Sequence, residues 1–351
     1  MLKYQLDLFL IAASMLFSLV GVAQTDVYAD PGFDTNYILS FRDYLVVTVV
    51  STSANNTVAV HDTSGESLSF ATNLPASFGL AVDYKWLTAE YTSTFGRTGD
   101  PRKGETSMQS LGFGLTSRKF WFRNFFQKTQ GYYLENPEYL NPNFNAQTDN
   151  YPHRSDIRAT IYYAVLNYGF NHRRYSNNAA LWQLERQKKS AGSFTAGLTF
   201  SYATYSADSA LVPSKYRDFF SERDFITAFD FTMLGLNGGY LHTFSFTKSK
   251  KFFLSLALIP GVSYQRGSSF SEVSDVAKDK YAFGLHVEAR ISFGYNGDVW
   301  YSSITSTGYA VSTAFDDTNP FTQGYSFFRF VVGYKIRMPE TKSALLKKIG
   351  L

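Results

Sequence analysis

The stretch "KYAFGLHVEARISFGY", residues 280 to 295, changes character at every step. Its odd positions are Tyr281, Phe283, Leu285, Val287, Ala289, Ile291, Phe293 and Tyr295; its even positions include Lys280, His286, Glu288, Arg290 and Ser292. A period of two sends successive side chains to opposite faces of a strand. One face is therefore wholly apolar, while the other lines up an imidazole, a carboxylate and a guanidinium. Aromatics stand at Tyr281 and Phe283 and again, twelve residues on, at Phe293 and Tyr295. At about 3.3 Å per residue and a tilt of about 40°, that spacing covers on the order of 30 Å of membrane normal, the separation of two aromatic girdles. The pattern fits the wall of a membrane barrel better than a strand of a soluble sandwich.

The same alternation recurs along the chain. It predicts strands near 43–51, 77–85, 86–95, 106–117, 119–132, 156–170, 192–206, 228–247, 251–265, 280–295, 299–313 and 323–337, twelve in all; the shorter pieces 56–62 and 66–72 would make fourteen. Segments 156–170 and 228–247 alternate less cleanly, with Tyr162 beside Tyr163 and Met233 beside Leu234, which predicts bulges or a partly apolar lumen. With the C-terminus in the periplasm, short links at 85–86, 118, 248–251 and 296–298 fall on one side. The longer links 96–105, 133–155, 207–223, 266–279 and 314–322 fall on the other. Short periplasmic turns and long outer loops are the habit of outer-membrane barrels. The exception is 171–191, whose "NNAALWQLERQKK" predicts a short helix under the barrel mouth. Hydrocarbon offers backbone N–H and C=O groups no partners, so strands cross it only in a sheet closed on itself.

Composition agrees with this reading. Aromatics are 18% of the chain and spread over every long segment, and charged residues are also 18%, below the roughly 25% of globular chains. There is no cysteine, which excludes disulfides, thiolate metal sites and a lipid anchor on cysteine. The net charge of +4 is dispersed and forms no basic stripe for nucleic acid. At the N-terminus Lys3 precedes an apolar run from Leu8 to Val22, then small residues up to Ala23 before Gln24. This predicts a cleaved signal peptide; as a permanent helical anchor the run falls short of the roughly 20 residues needed. The expected organisation is a signal at 1–23, a periplasmic segment at 24–42, a barrel at 43–338 and a periplasmic tail at 339–351.

Three stretches carry a resemblance. "NLPASFGLAVDYKWL" from Asn73, "KFWFRNFFQKTQGYYL" from Lys119, and above all "QKKSAGS", that is Gln187, Lys188, Lys189, Ser190, Ala191, Gly192 and Ser193, resemble signatures of domain-of-unknown-function family 4421, exported barrel proteins of Bacteroidota. The resemblance extends over about residues 30 to 338. It implies an outer-membrane β-barrel and supplies no catalytic residues, so it bears on location and leaves the chemistry to the residues.

Those residues offer a lumen more readily than an active site. His286, Glu288 and Arg290 project one way, and Arg123, Arg158, Asp83 and Glu90 are expected to join them across the lumen as paired charges that plug the interior. An acid–base pair built there is the catalytic alternative. A lipid hydrolase would need a Ser beside a His, but His242 and Ser245 point to opposite sides of one strand. The five His show no HxH or HExxH spacing, so no metal site and no cofactor are expected. "GFGLTSRK" from Gly112 lacks the end of a phosphate loop, and "DDTN" from Asp316 is a polar loop tip. The loop at 136–154, rich in Asn, Tyr and Pro, would suit sugar or peptide binding. The sequence thus predicts an all-β protein, an antiparallel transmembrane barrel of the outer membrane with 12 strands (alternatively 14). Its expected role is non-enzymatic, a narrow pore or an envelope scaffold, with an envelope-modifying enzyme as the alternative. Outer-membrane lipid is the expected neighbour and a periplasmic or surface protein a further partner; a small solute, if there is one, is not identified.

Overall fold

The computed structural model describes residues 32–61, 67–73, 76–96, 99–212, 226–271, 274–313 and 321–338. The expected signal segment, the C-terminal tail and the "DDTN" tip lie outside the described residues, as does part of the outer loop at 207–223. Fifteen strands follow in order: β1 (Ile38–Ser40), β2 (Tyr44–His61), β3 (Ser67–Ala71), β4 (Ala76–Tyr84), β5 (Leu87–Thr94), β6 (Ser107–Thr116), β7 (Phe120–Leu134), β8 (His153–Gly169), β9 (Glu185–Gln187), β10 (Ala191–Ser206), β11 (Ile226–Phe246), β12 (Phe252–Ser271), β13 (Ser274–Asn296), β14 (Trp300–Thr313) and β15 (Phe321–Arg337). One short helix, α1 (Asn177–Leu181), precedes β9.

Twelve of these strands form a closed antiparallel barrel. The order is β2-β4-β5-β6-β7-β8-β10-β11-β12-β13-β14-β15, and β15 closes on β2 from Phe321 opposite Val60 to Arg337 opposite Tyr44. Crossing the registers of all twelve strands from Phe283 leads through Phe200 and Val82 to Trp300, and returns to β13 at Gly297 instead of 283. That offset on twelve strands corresponds to a tilt of about 39° and a backbone radius on the order of 12 Å. The side-chain period then does the sorting. Leu80, Phe113, Leu198, Leu236, Leu258 and Phe330 are exposed on the outer wall, whereas Thr199, Asn237, Thr305 and Ser292 are buried within. At the end with short turns, Phe120 meets Tyr168 (5.0 Å), Phe194 meets Tyr240 (5.0 Å) and Tyr295 meets Trp300 (4.7 Å), a ring of aromatics at one membrane interface.

The count of twelve hides one departure. Residues 56–61 simply continue β2, and β3 and β4 both run antiparallel to β2 along different parts of it. They read as one descending strand interrupted after Ala71, at Thr72 and Asn73. Asn73 holds the break: its amide donates to the carbonyls of Asp100 (2.8 Å) and Gly104 (2.7 Å), its side-chain oxygen accepts from Asp100 N–H (3.0 Å), and its own N–H reaches Thr106 Oγ1 (3.0 Å). Above the break β3 crosses to β7, with Phe70 opposite Leu134, so the outer end closes through β3 in ten strands while β4, β5 and β6 stop short. β7 reaches β3 through a register shift between Gln130 and Tyr132, where Gly131 has φ of 90°.

One sequence expectation is corrected and another is narrowed. The outer loop foreseen at 266–279 is mostly strand, because β12 and β13 continue upward as a polar hairpin in which Asp279 accepts from Arg266 (2.9 Å) and Ser268 (2.7 Å). Alternation fades once both faces meet water, but backbone pairing does not. Of the two readings of the uneven alternation, the partly apolar lumen holds and the bulge does not: β8 and β11 keep register at Tyr162–Tyr163 and Met233–Leu234, with Met233 in the apolar core of the lumen and Tyr163 inward against Phe125 and Tyr309.

Candidate functional site

The lumen is built in layers, and β13 supplies the middle one. Its inward positions are His286, Glu288, Arg290 and Ser292, all buried. From β7, Arg123 donates to both Glu288 oxygens at 3.0 Å; from β8, Tyr163 OH donates to Glu288 at 3.1 Å; Arg290 stands 3.5 Å from the same carboxylate and reaches Asn177 Oδ1 of α1 at 3.1 Å. Across the lumen Arg329 of β15 grips Glu90 of β5 at 2.6 Å, and Asp83 of β4 accepts from Thr88 at 2.7 Å. Three guanidinium groups thus face three carboxyl groups at one depth. Buried charges hold only when paired and hydrogen-bonded, and removing one partner of such a pair costs about 3–5 kcal/mol.

Above the charges lies a row of rings. Tyr325 stacks on Phe125 (5.4 Å), Phe125 on Tyr163 (5.4 Å), Tyr163 meets Tyr309 edge-on (5.0 Å), and Tyr309 lies 6.3 Å from His286. The His286 imidazole fits a slot left by Gly235 and Gly261, where an added Cβ would meet the ring. Neither ring nitrogen has a hydrogen-bond partner among the described residues. Toward the outer end the row gives way to an apolar core including Val58, Leu68, Phe70, Tyr132, Phe229 and Met233. A hollow of about 390 Å³ does exist, but it opens on the outer wall between β2, β13, β14 and β15, beside Ala289, Gly308 and Gly324.

The other end is closed by a cap. β1 pairs with β9, and α1 sits inside the mouth with Asn177, Asn178, Ala179 and Ala180 buried. Ser176 caps the helix: its hydroxyl accepts from Ala179 N–H (3.0 Å) and donates to Glu185 (2.6 Å). Glu185 also binds Arg42 (2.9 Å) and faces Arg118 (3.6 Å). Gln187 fastens the whole arrangement, its amide donating to the carbonyls of Arg174 (2.6 Å), Lys189 (2.9 Å) and Tyr37 (3.3 Å) while its oxygen accepts from Ser176 N–H (3.0 Å). The rest of the "QKKSAGS" stretch ties the cap to the wall. Lys188 donates to Thr35 O (2.7 Å), Lys189 lies over Tyr37 (5.3 Å), and Ser190 Oγ accepts from Ser245 N–H (3.0 Å). Ala191 opens the pairing of β10 with Thr243, Gly192 leaves room for the Tyr240 hydroxyl, and Ser193 Oγ accepts from Asn171 N–H (2.9 Å).

The structure brings Glu288, Arg290 and Arg123 to one layer, with His286 in the row of rings above it, and Asp83 and Glu90 to the opposite wall. It does not bring Arg158. That residue occupies an outward position of β8 near the outer end, where it pairs with Asp208 (3.0 Å) in solvent, because inward positions of β8 carry odd numbers. His242 stands on the outer face beside Tyr240 (3.1 Å) and Phe244. Sequence reasoning passed over Arg329, although it alternates with Phe328 and Phe330, and Tyr163, hidden by its neighbour Tyr162. Glu185 and Asn177 carried no periodic signal at all.

A family model described as "Domain of unknown function (DUF4421)" matches residues 33–336. No curated protein matches the sequence. Among solved structures, the chain is similar to the translocator domain of the autotransporter NalP from Neisseria meningitidis (10% identity, 95% of this chain and 98% of that one, TM-score 0.34). It is also similar to the β domain of the Bordetella autotransporter BrkA (8%, 83% and 99%, TM-score 0.37) and to the Pseudomonas putida toluene transporter TodX (9%, 84% and 90%, TM-score 0.29).

Proposed function

We propose, from the premise that the chain belongs to the DUF4421 family, that it is a sealed barrel of the Gram-negative outer membrane, acting as an envelope scaffold and not as an open pore. The observation that carries this reading is the filled lumen. From outside inward a solute would meet the apolar core around Phe70 and Tyr132, the row of rings from Tyr325 to His286, the paired charges around Glu288, and the cap held by Gln187. Barrels of 16–18 strands leave an aqueous channel, whereas in this ring of twelve large inward side chains and the cap occupy the lumen. The apolar outer wall and the exported-looking N-terminus support the location, since lipid-facing closed barrels belong to outer membranes.

The test is electrical. Purified protein inserted into planar bilayers is expected to give no steady ion current. Reproducible unitary current steps from the intact chain would replace the scaffold with a channel.

A further inference from the structure

We propose that the periplasmic cap is a docking surface for an acidic polypeptide segment of a periplasmic protein; this rests on the scaffold reading and names the chemistry of the partner. Four cations stand together on the cap: Arg173 and Arg174 follow β8, and Lys188 and Lys189 follow β9. Tyr37 gathers them. Arg174 lies 5.2 Å and Lys189 5.3 Å from its ring, Lys188 Nζ donates to Thr35 O at 2.7 Å, and the Arg173 carbonyl accepts from Asp34 N–H at 2.8 Å. Arg173, Arg174 and Lys189 are exposed, and none of the four forms an ion pair with a carboxylate among the described residues. Two carboxyl groups nearby are engaged elsewhere: Glu185 serves Arg42 and Ser176, and Asp298 serves Arg186 and Lys251. Asp34, whose side-chain oxygen accepts only the Asn36 N–H (2.9 Å) among the described residues, sets one negative charge beside the four cations and leaves them in excess.

Excess positive charge gathered on the cap calls for an anionic partner. Inner-leaflet phosphate is the nearest alternative, but lipid meets the ring of Phe194, Tyr240, Phe244 and Trp300 on the outer wall. The four cations belong to segments that fold inward from that ring, with Tyr37 packed against the lumen residues Tyr175, Leu241 and Ala257. A polypeptide is favoured over a glycan by β1. It is an edge strand of a two-stranded sheet, paired among the described residues with β9 alone; its exposed Leu39 is two residues from Tyr37, and the Ile38 N–H on the open edge is held by the Asp34 carbonyl (3.0 Å). An extended chain can add to such an edge while its carboxylates meet the basic rim.

The experiment uses the full chain in nanodiscs of neutral lipid and a fluorescent oligoglutamate peptide, read by anisotropy. Saturable binding that weakens steeply with salt is expected, lowered by about tenfold or more in Arg173→Glu/Lys189→Glu and unchanged in Lys250→Glu, which sits on a wall turn. Equal binding by the cap variant and the parent overturns the proposal, as does binding to anionic vesicles or to isolated cell wall with no binding of the peptide. Thermal melting of each variant's barrel separates lost docking from lost fold. Ion current in bilayers with peptide binding intact would sink the scaffold reading and leave the docking surface standing; the reverse pattern would do the opposite.

Discussion

Asp298 ties the cap to the wall with a charge that pH can remove. It sits in the turn between β13 and β14, where Lys251 (2.7 Å) and Arg186 (2.8 Å) both donate to it. Those hydrogen bonds, Lys251 first, hold its carboxyl down to about 2 from the ordinary 3.8. A carboxyl depressed on folding contributes stability that is complete above its unfolded value and disappears as pH falls through its folded value. The cap should therefore stay docked at neutral pH and loosen between about pH 4 and pH 2. Hydrogen exchange at residues 185–189 followed across that range checks this against Asp298→Asn, which should exchange faster at neutral pH and lose the acid step that Asp298 causes. Identical acid profiles for the two proteins would assign the step to another group. Gln187, uncharged, fastens the same cap without any such dependence, and Arg186 Nε to Asn296 O (2.6 Å) remains in acid.

At the scale of the element, the barrel strands were legible and the break between β3 and β4 was not. Alternation is imposed on each strand separately by lipid on one side and lumen on the other, so a strand such as β13 announces itself without knowledge of its neighbours. The break depends on Asn73 meeting a loop some thirty residues further along, through hydrogen bonds to Asp100 and Gly104, and no local period records that. Pairing across the lumen was hidden for a similar reason. Which cation meets Glu288 is set by the register of every strand between β7 and β13, and Arg123 was found only because both occupy inward positions. Gly131 is where the element-scale account can be broken. Its φ of 90° suits glycine, and an added Cβ would collide with the Glu105 carbonyl. Gly131→Ala should destabilise the barrel by about 1–3 kcal/mol through strain at a left-handed position, and by more if Glu105 cannot move. Urea unfolding in detergent, read from the shift in electrophoretic mobility between folded and unfolded barrel, measures it. An unchanged midpoint would mean that the bend in β7 is not held there.

The whole molecule is a wall with two seals in series. One is the cap; the other is the row of rings under the apolar core; the paired charges lie between them. Ring size alone does not bring the walls together: a round ring of about 12 Å radius would hold opposite backbones about 24 Å apart, yet Arg123 of β7 reaches Glu288 of β13 at 3.0 Å, so the wall is flattened where these strands face each other. The outer end, closed in ten strands, is narrower still, and it is there that the buried apolar residues pack together. The charged layer, by contrast, needs the cap, because Arg290 and Ser292 complete their bonding on Asn177 and on the Ala180 carbonyl of α1. Absence of cysteine makes the two seals separable by experiment. Ser292→Cys, under α1, and Ala203→Cys, fully buried in the outer core, should both resist a membrane-impermeant thiol reagent applied to the cap side. Replacing residues 177–182 by a Gly-Ser stretch of equal length should speed labelling of Ser292→Cys by at least about tenfold and leave Ala203→Cys slow. The capless barrel should still pass no steady current, since the rings from Tyr325 to His286 remain. If Ala203→Cys instead reacts as fast as Ser292→Cys once the cap is gone, the row of rings is no barrier, and the cap alone would separate the solvent at its end of the barrel from the apolar core.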